Sequence, residues 1–437
     1  MPDDNCRIRA DGTSTSNGVT NPPPLWEKTP RPFWVEMING VGRGIRRFGS
    51  RWPKLSADDF MARARRKSGL SDFGDDRFLE GLNVLIDSFE REDSAHAFGR
   101  IFFREYCVSL LVNRLKIHAD LTKHPEILDI PVRRPLFITG LPRSGTTFLH
   151  RLMSEDPSGR SMLFWEALEP SPSPERSTYK TDPRIARATK SMNLLYQLSP
   201  RLATAHEFAA ESPEEDNNLF AHAFGAGILG FMFDAPDYMR WLDRQDLVPG
   251  YRYHKRQLQL LSWKFPADYW ILKAPPHLYG LDALLTVYPD ANIVVIHRDP
   301  LQALPSICSL AAGFRGIMTD RIDLRRLGAE FVEATAPGHE RAIAARTTAD
   351  SARFHDVRYP EMIADPVGTV QAICEHFGYD FSPEYEANAR GYLATNPQHK
   401  NGVHRYRLED FGLDDATVNR HFAGYRSWLE TRNPQTV

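Results

Sequence analysis

The sequence predicts an α/β fold: a parallel β-sheet flanked by helices, preceded by a helical segment and interrupted by a long helical insertion. Three observations carry this. From residue 135 onward, short apolar runs bounded by turn residues alternate with helical stretches. One of these runs, PLFITG, opens into a glycine-rich turn, LPRSGTT, followed at once by helix formers. Residues 56–125 and 160–265 repeat apolar side chains at helical rather than strand spacing.

In chain order, residues 1–28 are rich in Asn, Ser, Thr, Gly and Pro and are expected to be a disordered tail. In the stretch 34–54, Trp34, Met37, Ile38, Val41, Ile45 and Phe48 follow helical spacing, with Arg43, Arg46, Arg47 and Arg51 elsewhere on the helix. Such a basic amphipathic helix suits a membrane surface. Packing on its own domain, or on a partner subunit in a homo-oligomer, is the preferred reading, because the pattern is common in soluble folds. The whole of 29–130 is expected to be helical and to pack on the core, with Phe60, Leu79, Leu82, Leu85, Ile86 and Phe89 facing inward. Asp72, Asp75 and Asp76 read as helix caps rather than metal ligands, and no metal is expected.

The main domain is expected over 131–425, with a C-terminal tail at 426–437. Its strands are PLFITG (135–140), DYWILK (268–273), NIVVIH (292–297) and FHDVRY (354–359). Helices are expected at 278–288, through Ser309, and at 367–377. Strand–helix alternation makes a parallel sheet with right-handed crossovers the economical topology.

Composition narrows the function classes. The chain has 437 residues and a net charge of −2, which argues against a general nucleic-acid binder. Four scattered cysteines without a CxxC pair point to a reducing, cytoplasmic setting. The polar N-terminus does not read as a secretory signal, and the longest apolar runs are too short to span a bilayer.

The chemistry starts in the turn. Backbone N–H groups of a glycine-rich loop converge on an anion, and the following helix adds its positive end. Arg143 can fork onto phosphate or sulfonate oxygens. Thr146 and Thr147 add hydroxyl donors. A triphosphatase would carry lysine where Thr146 stands, and no apolar run ending in Asp supplies a magnesium site. A kinase of this loop type is therefore the weaker alternative, and a non-catalytic nucleotide-binding protein is a third. A second anion site is expected where IHRDPLQALPS leaves its strand: Arg298 ends the strand and Ser306 follows in the next helix. The competing reading pairs Arg298 with Asp299 or Asp356. Two anion sites on adjacent strands suit a nucleotide with phosphates at both ends of its ribose.

With GLPRSGTT and RDPLQALPS in place, the chain resembles the sulfotransferases that use 3′-phosphoadenosine 5′-phosphosulfate, in their bacterial-type branch. Trp165-Glu166, LKAPPHL (272–278) and the SGLSDFGDD and HPEI segments fit that branch, and the likeness runs from about residue 57 to about 425. The resemblance implies that Arg143, Ser144, Gly145, Thr146 and Thr147 bind the 5′ phosphosulfate and that Arg298 and Ser306 bind the 3′ phosphate. It also places Phe148 and Tyr359 at the adenine, and has Lys400 and Gly402 of HKNGVHRY close over the 3′ phosphate. The relatives read Arg-Lys-Gly there, where this chain has Lys400-Asn401-Gly402. The product would be adenosine 3′,5′-bisphosphate, with no metal required.

Sulfuryl transfer needs a base and a cation for the leaving-group charge. Arg143 and Lys273 are the candidate cations, the alternative for Lys273 being a solvated lysine at a strand end. The base is expected to be Glu166, whose place beside Trp165 would raise its pKa, then His277, then His206. In ESPEED, Glu214 and Glu215 read as the first turn of a helix capped by Ser212 with Pro213 behind it. Glu211 stays open. The aromatic-rich insertion 160–265 is the expected acceptor pocket, suited to a small apolar or aromatic molecule carrying a hydroxyl.

Overall fold

Continuous runs of Leu, Ile, Val and Phe form the centre of the fold, because a parallel strand is buried on both faces. In the computed structural model, residues 24–27, 30–202, 209–396 and 406–432 are described. Five parallel strands make one sheet: β1 (Leu136–Gly140), β2 (Gly159–Ser161), β3 (Tyr269–Lys273), β4 (Asn292–His297) and β5 (Phe354–Arg358). Their order is β2-β3-β1-β4-β5. Ile138 of β1 lies opposite Lys273 of β3, and Gly140 opposite Ile296 of β4. The two loops expected to bind anions therefore leave the sheet side by side at its C-terminal edge.

The four expected strands are present with ends moved by at most a residue. The short strand β2 was not expected. Its three residues, Gly-Arg-Ser, carry no apolar period, and they pair with Tyr269, Trp270 and Ile271 only because the insertion returns past β3. Among the described residues, the rest of the insertion is a series of helices joined by loops, from Phe164–Leu168 to Val248–Ser262.

The N-terminal region forms helices Phe33–Arg46, Ala57–Ser68, Arg77–Glu92 and Ala97–Lys123. Its Phe60, Leu82, Phe103 and Leu111 share one buried cluster with Phe224, Phe233 and Tyr238 of the insertion and with Leu272 of β3. Of the expected N-terminal tail, only 24–27 are described. There Leu25 is buried and Trp26 packs edge-on against Phe411 at 5.1 Å. The segment expected as a tail from 426 lies, as far as Arg432, in helix Ala423–Arg432. Ser56 and Asp299 show how local chemistry sets helix starts: each side chain accepts a backbone N–H of the first turn. Asp72 and Asp75 bond the N–H groups of Gly74 and Arg77 instead of capping a full helix end.

Candidate functional site

The turn after β1 is built from three residues in the left-handed half of backbone space. Gly140 has φ 149°, Arg143 φ 71° and Gly145 φ 94°. A Cβ on Gly145 would stand 2.7 Å from Met362 and 3.0 Å from the Tyr359 ring, so only glycine fits. Arg143 has no such excuse. A non-glycine residue held there costs of order 1–3 kcal/mol and marks a functional loop. Helix Thr146–Met153 then starts with its N–H groups toward the loop.

Arg143 and Arg298 stand together. Arg298 donates from Nη1 to the Arg143 carbonyl at 2.7 Å and lies over the Tyr359 ring at 4.2 Å. Arg143 donates from Nε to Ser306 Oγ at 3.0 Å, which joins the first motif to the second. No carboxylate among the described residues pairs with either guanidinium. The competing partners are taken elsewhere, Asp299 by Arg426 at 2.7 Å and Asp356 by Arg346 at 2.7 Å. Burial, then the charge of Arg298, pulls the Arg143 guanidinium below its ordinary value. Ser144 Oγ is buried without a partner among the described residues. Two uncompensated guanidiniums, an unpaired hydroxyl and a helix N-terminus make an anion cradle.

Lys273 is not a solvated lysine. It is 1 % exposed, and its Nζ donates to Glu215 Oε1 at 2.7 Å and to Thr147 Oγ1 at 3.2 Å. Glu214 beside it is also buried. Burial pushes the Glu214 carboxyl up to about 7; Lys273 opposes that rise and Glu215 adds to it. These two glutamates correct the expected helix start. The helix begins at Asn217, after Asp216, while Pro213 bridges to Leu163 in extended form. Asp216 is itself a capping residue type, and it was the one sign in the sequence that the helix starts a turn later.

His277 sits on a 3₁₀ turn, Pro275–Gly280. Its Nε2 lies 2.7 Å from Asp216 Oδ2 and its Nδ1 2.9 Å from the Tyr251 hydroxyl. The same Asp216 oxygen lies 2.9 Å from His254 Nε2. Burial works against ionising Asp216, but His277 and His254 together hold it well below the usual carboxylate range. Both ring nitrogens of His277 are thus occupied by protein groups.

Glu166 departs from its expected place. Its side chain is completely buried and bonded by Arg160, by the Tyr179 hydroxyl at 2.9 Å and by Leu163 N–H at 2.9 Å. Trp165, the expected desolvating neighbour, lies under Arg184 instead. Glu166 does not line the cavity into which the loop opens. His206, Lys400 and Gly402 lie outside the described residues.

That cavity, of about 1380 Å³, joins the two halves of the site. Arg143, Thr147, Phe148, Arg298 and Tyr359 line it, together with Glu214 and Glu215 of the insertion and His277. The far walls are largely apolar and include Phe164, Met192, Phe220, Phe231 and Met239.

A parallel sheet with a glycine-rich anion loop after its first strand, a second cationic corner one strand away and an apolar chamber in front defines a nucleotide-dependent group-transfer fold. Residues 135–383 match the sulfotransferase family, and the chain belongs to it. It is a sulfotransferase. Its fold is that of sulfotransferase STF1 from Mycobacterium tuberculosis, at 35 % identity and a TM-score of 0.76, covering 85 % of this chain and 99 % of that one. Sulfotransferase STF9 from Mycobacterium avium gives 31 % identity and a TM-score of 0.80 over 86 % and 98 % of the two chains. A Mycobacterium bovis protein, omega-hydroxy-beta-dihydromenaquinone-9 sulfotransferase Stf3, is 25 % identical over 306 residues, 64 % of this chain and 72 % of that protein.

Proposed function

We propose that the donor is 3′-phosphoadenosine 5′-phosphosulfate and that the acceptor is the hydroxyl of a large apolar molecule. The observation that carries the donor is the pair Arg143 and Arg298, linked at 2.7 Å with no carboxylate to neutralise either among the described residues. The residues fit such a group: Arg143, Ser144, Gly145, Thr146 and Thr147 hold its 5′ end, Arg298 and Ser306 its 3′ phosphate, and Phe148 and Tyr359 flank the base. When bound, the donor supplies an electrophilic sulfuryl group with a phosphate leaving group.

The protein's own groups do the rest. Lys273 and Arg143 place positive charge where the leaving group gains negative charge. Glu215, held against Lys273, is the base that takes the acceptor proton. His277 orients this segment through Asp216. Glu166 braces Arg160 and the start of its helix, which makes it a structural residue rather than the base. The apolar chamber supports a lipid-like acceptor, and the Mycobacterium bovis relative, which acts on a hydroxylated menaquinone, supports the same class.

Thermal shifts with adenosine 3′,5′-bisphosphate and with ATP plus magnesium test the donor. A ligand that binds only the native state raises apparent stability. A clear rise with the bisphosphate and none with ATP supports the reading; the reverse order ends it. Transfer rates to primary alcohols of increasing chain length test the acceptor, and rates that fall with length would rule out an apolar one.

A further inference from the structure

Helix Phe33–Arg46 has two apolar faces, and only one of them is covered. Val35 and Asn39 are buried, Asn39 accepts the Phe98 N–H at 3.0 Å, and Gly42 lies so close that a Cβ there would reach 2.2 Å from Ala97. The opposite stripe carries Phe33, Met37, Val41 and, two residues beyond the helix, Phe48. Phe48 is 90 % exposed and Phe33 79 %. Trp34 and Trp52 flank them. These six are among only eight exposed large hydrophobic side chains on the described residues. Such a concentration marks a docking surface.

Charge selects the occupant. Residues 33–54 hold five basic residues and one acid, in a chain whose net charge is −2. Arg46 and Arg51 are held by Asp93; Arg43, which reaches Glu36 only at 4.0 Å, and Arg47 are exposed beside the apolar stripe. A twofold contact between copies would set this basic patch against itself. An anionic lipid surface satisfies both halves, taking the aromatic side chains at headgroup level and pairing the guanidiniums with lipid phosphates. No helix among the described residues is long and apolar enough to cross a membrane, so the contact is peripheral. The patch also adjoins the chamber: Trp34 packs on Phe98 at 5.3 Å, Phe98 on Phe102 at 6.4 Å, and Phe102 lines the cavity.

We propose that the face formed by Phe33, Met37, Val41 and Phe48 with Arg43 and Arg47 docks the enzyme on anionic bilayers, beside the mouth of its acceptor chamber. Docking does not depend on which acceptor is used, so it is tested without turnover. The full chain is sedimented with vesicles of one part phosphatidylglycerol to three parts phosphatidylcholine, and with vesicles of phosphatidylcholine alone. We expect binding to the anionic vesicles that weakens with salt and falls about tenfold or more in Phe33→Ser/Met37→Ser/Phe48→Ser. Arg43→Glu/Arg47→Glu should lose the preference for the anionic lipid while keeping the thermal midpoint and the response to adenosine 3′,5′-bisphosphate. The proposal is overturned if the wild type stays in the supernatant or if both variants sediment as it does. It is also overturned if the wild type is a dimer by sedimentation velocity and the serine variant a monomer.

Discussion

Lys273 and Glu215 meet at 2.7 Å although 58 residues separate them, and the same ammonium reaches Thr147 at 3.2 Å. A lysine at the end of a buried strand thus ties the glycine-rich loop to the acidic segment that lines the cavity. Lys273→Met should lower kcat about 10²–10³-fold, the size of losing one preorganised charge partner. The Kd for adenosine 3′,5′-bisphosphate should change much less. An unchanged kcat would remove Lys273 from the charge-stabilising role.

The base assignment separates Glu215 from the residues that sequence spacing favours. Glu215→Gln should cost about 10²–10⁴-fold in kcat, with KM for the donor little altered. His277→Asn should act more weakly, since both its nitrogens serve protein partners. If His277→Asn is the more damaging of the two and flattens the pH–rate profile, the histidine is the base.

Glu166 is predicted to matter for folding and not for turnover. Glu166→Gln strands Arg160 in the interior, and breaking such a buried pair costs about 3–5 kcal/mol. Denaturant midpoints should drop accordingly, while kcat per folded molecule stays within about twofold. A fully stable but inactive variant would restore Glu166 to the chemistry.

The proposed 3′-phosphate role of Arg298 predicts that it tells the two ends of the nucleotide apart. Arg298→Ala should weaken adenosine 3′,5′-bisphosphate by about 1.5–3 kcal/mol, the range for charged hydrogen bonds, and leave adenosine 5′-monophosphate nearly unaffected. Equal losses in calorimetry for both ligands would move Arg298 away from the 3′ phosphate.

Glu214 gives a pH signature. Its folded value is raised from 4.5 to about 7, so the native state holds the proton more tightly than the unfolded chain. The resulting stability is complete below the unfolded value and is lost as pH rises through the folded one. Glu214→Gln removes that dependence. Relative to the wild type it should gain up to about 3 kcal/mol between pH 5 and pH 8. A thermal-midpoint difference that is flat over this interval would show that Glu214 ionises freely in the folded protein.

The sequence by itself determined the four main strands, the glycine-rich loop and the second cationic corner. Each is a local feature: a two-sided buried strand must be an apolar run, and a loop that wraps an anion needs glycine where φ is positive. It also disclosed the amphipathic helix near the N-terminus, though not that its second apolar face stays open. Tertiary structure decided what each carboxylate does. Glu166 and Glu215 are the same residue type within the same insertion, yet one is neutralised by Arg160 in the interior and the other is held at the cavity by Lys273. Local spacing put Glu215 in the first turn of a helix and Glu166 at the acceptor. The fold reversed both because a buried charge settles beside its counter-ion, and the counter-ion that matters to Glu215 arrives from a distant strand.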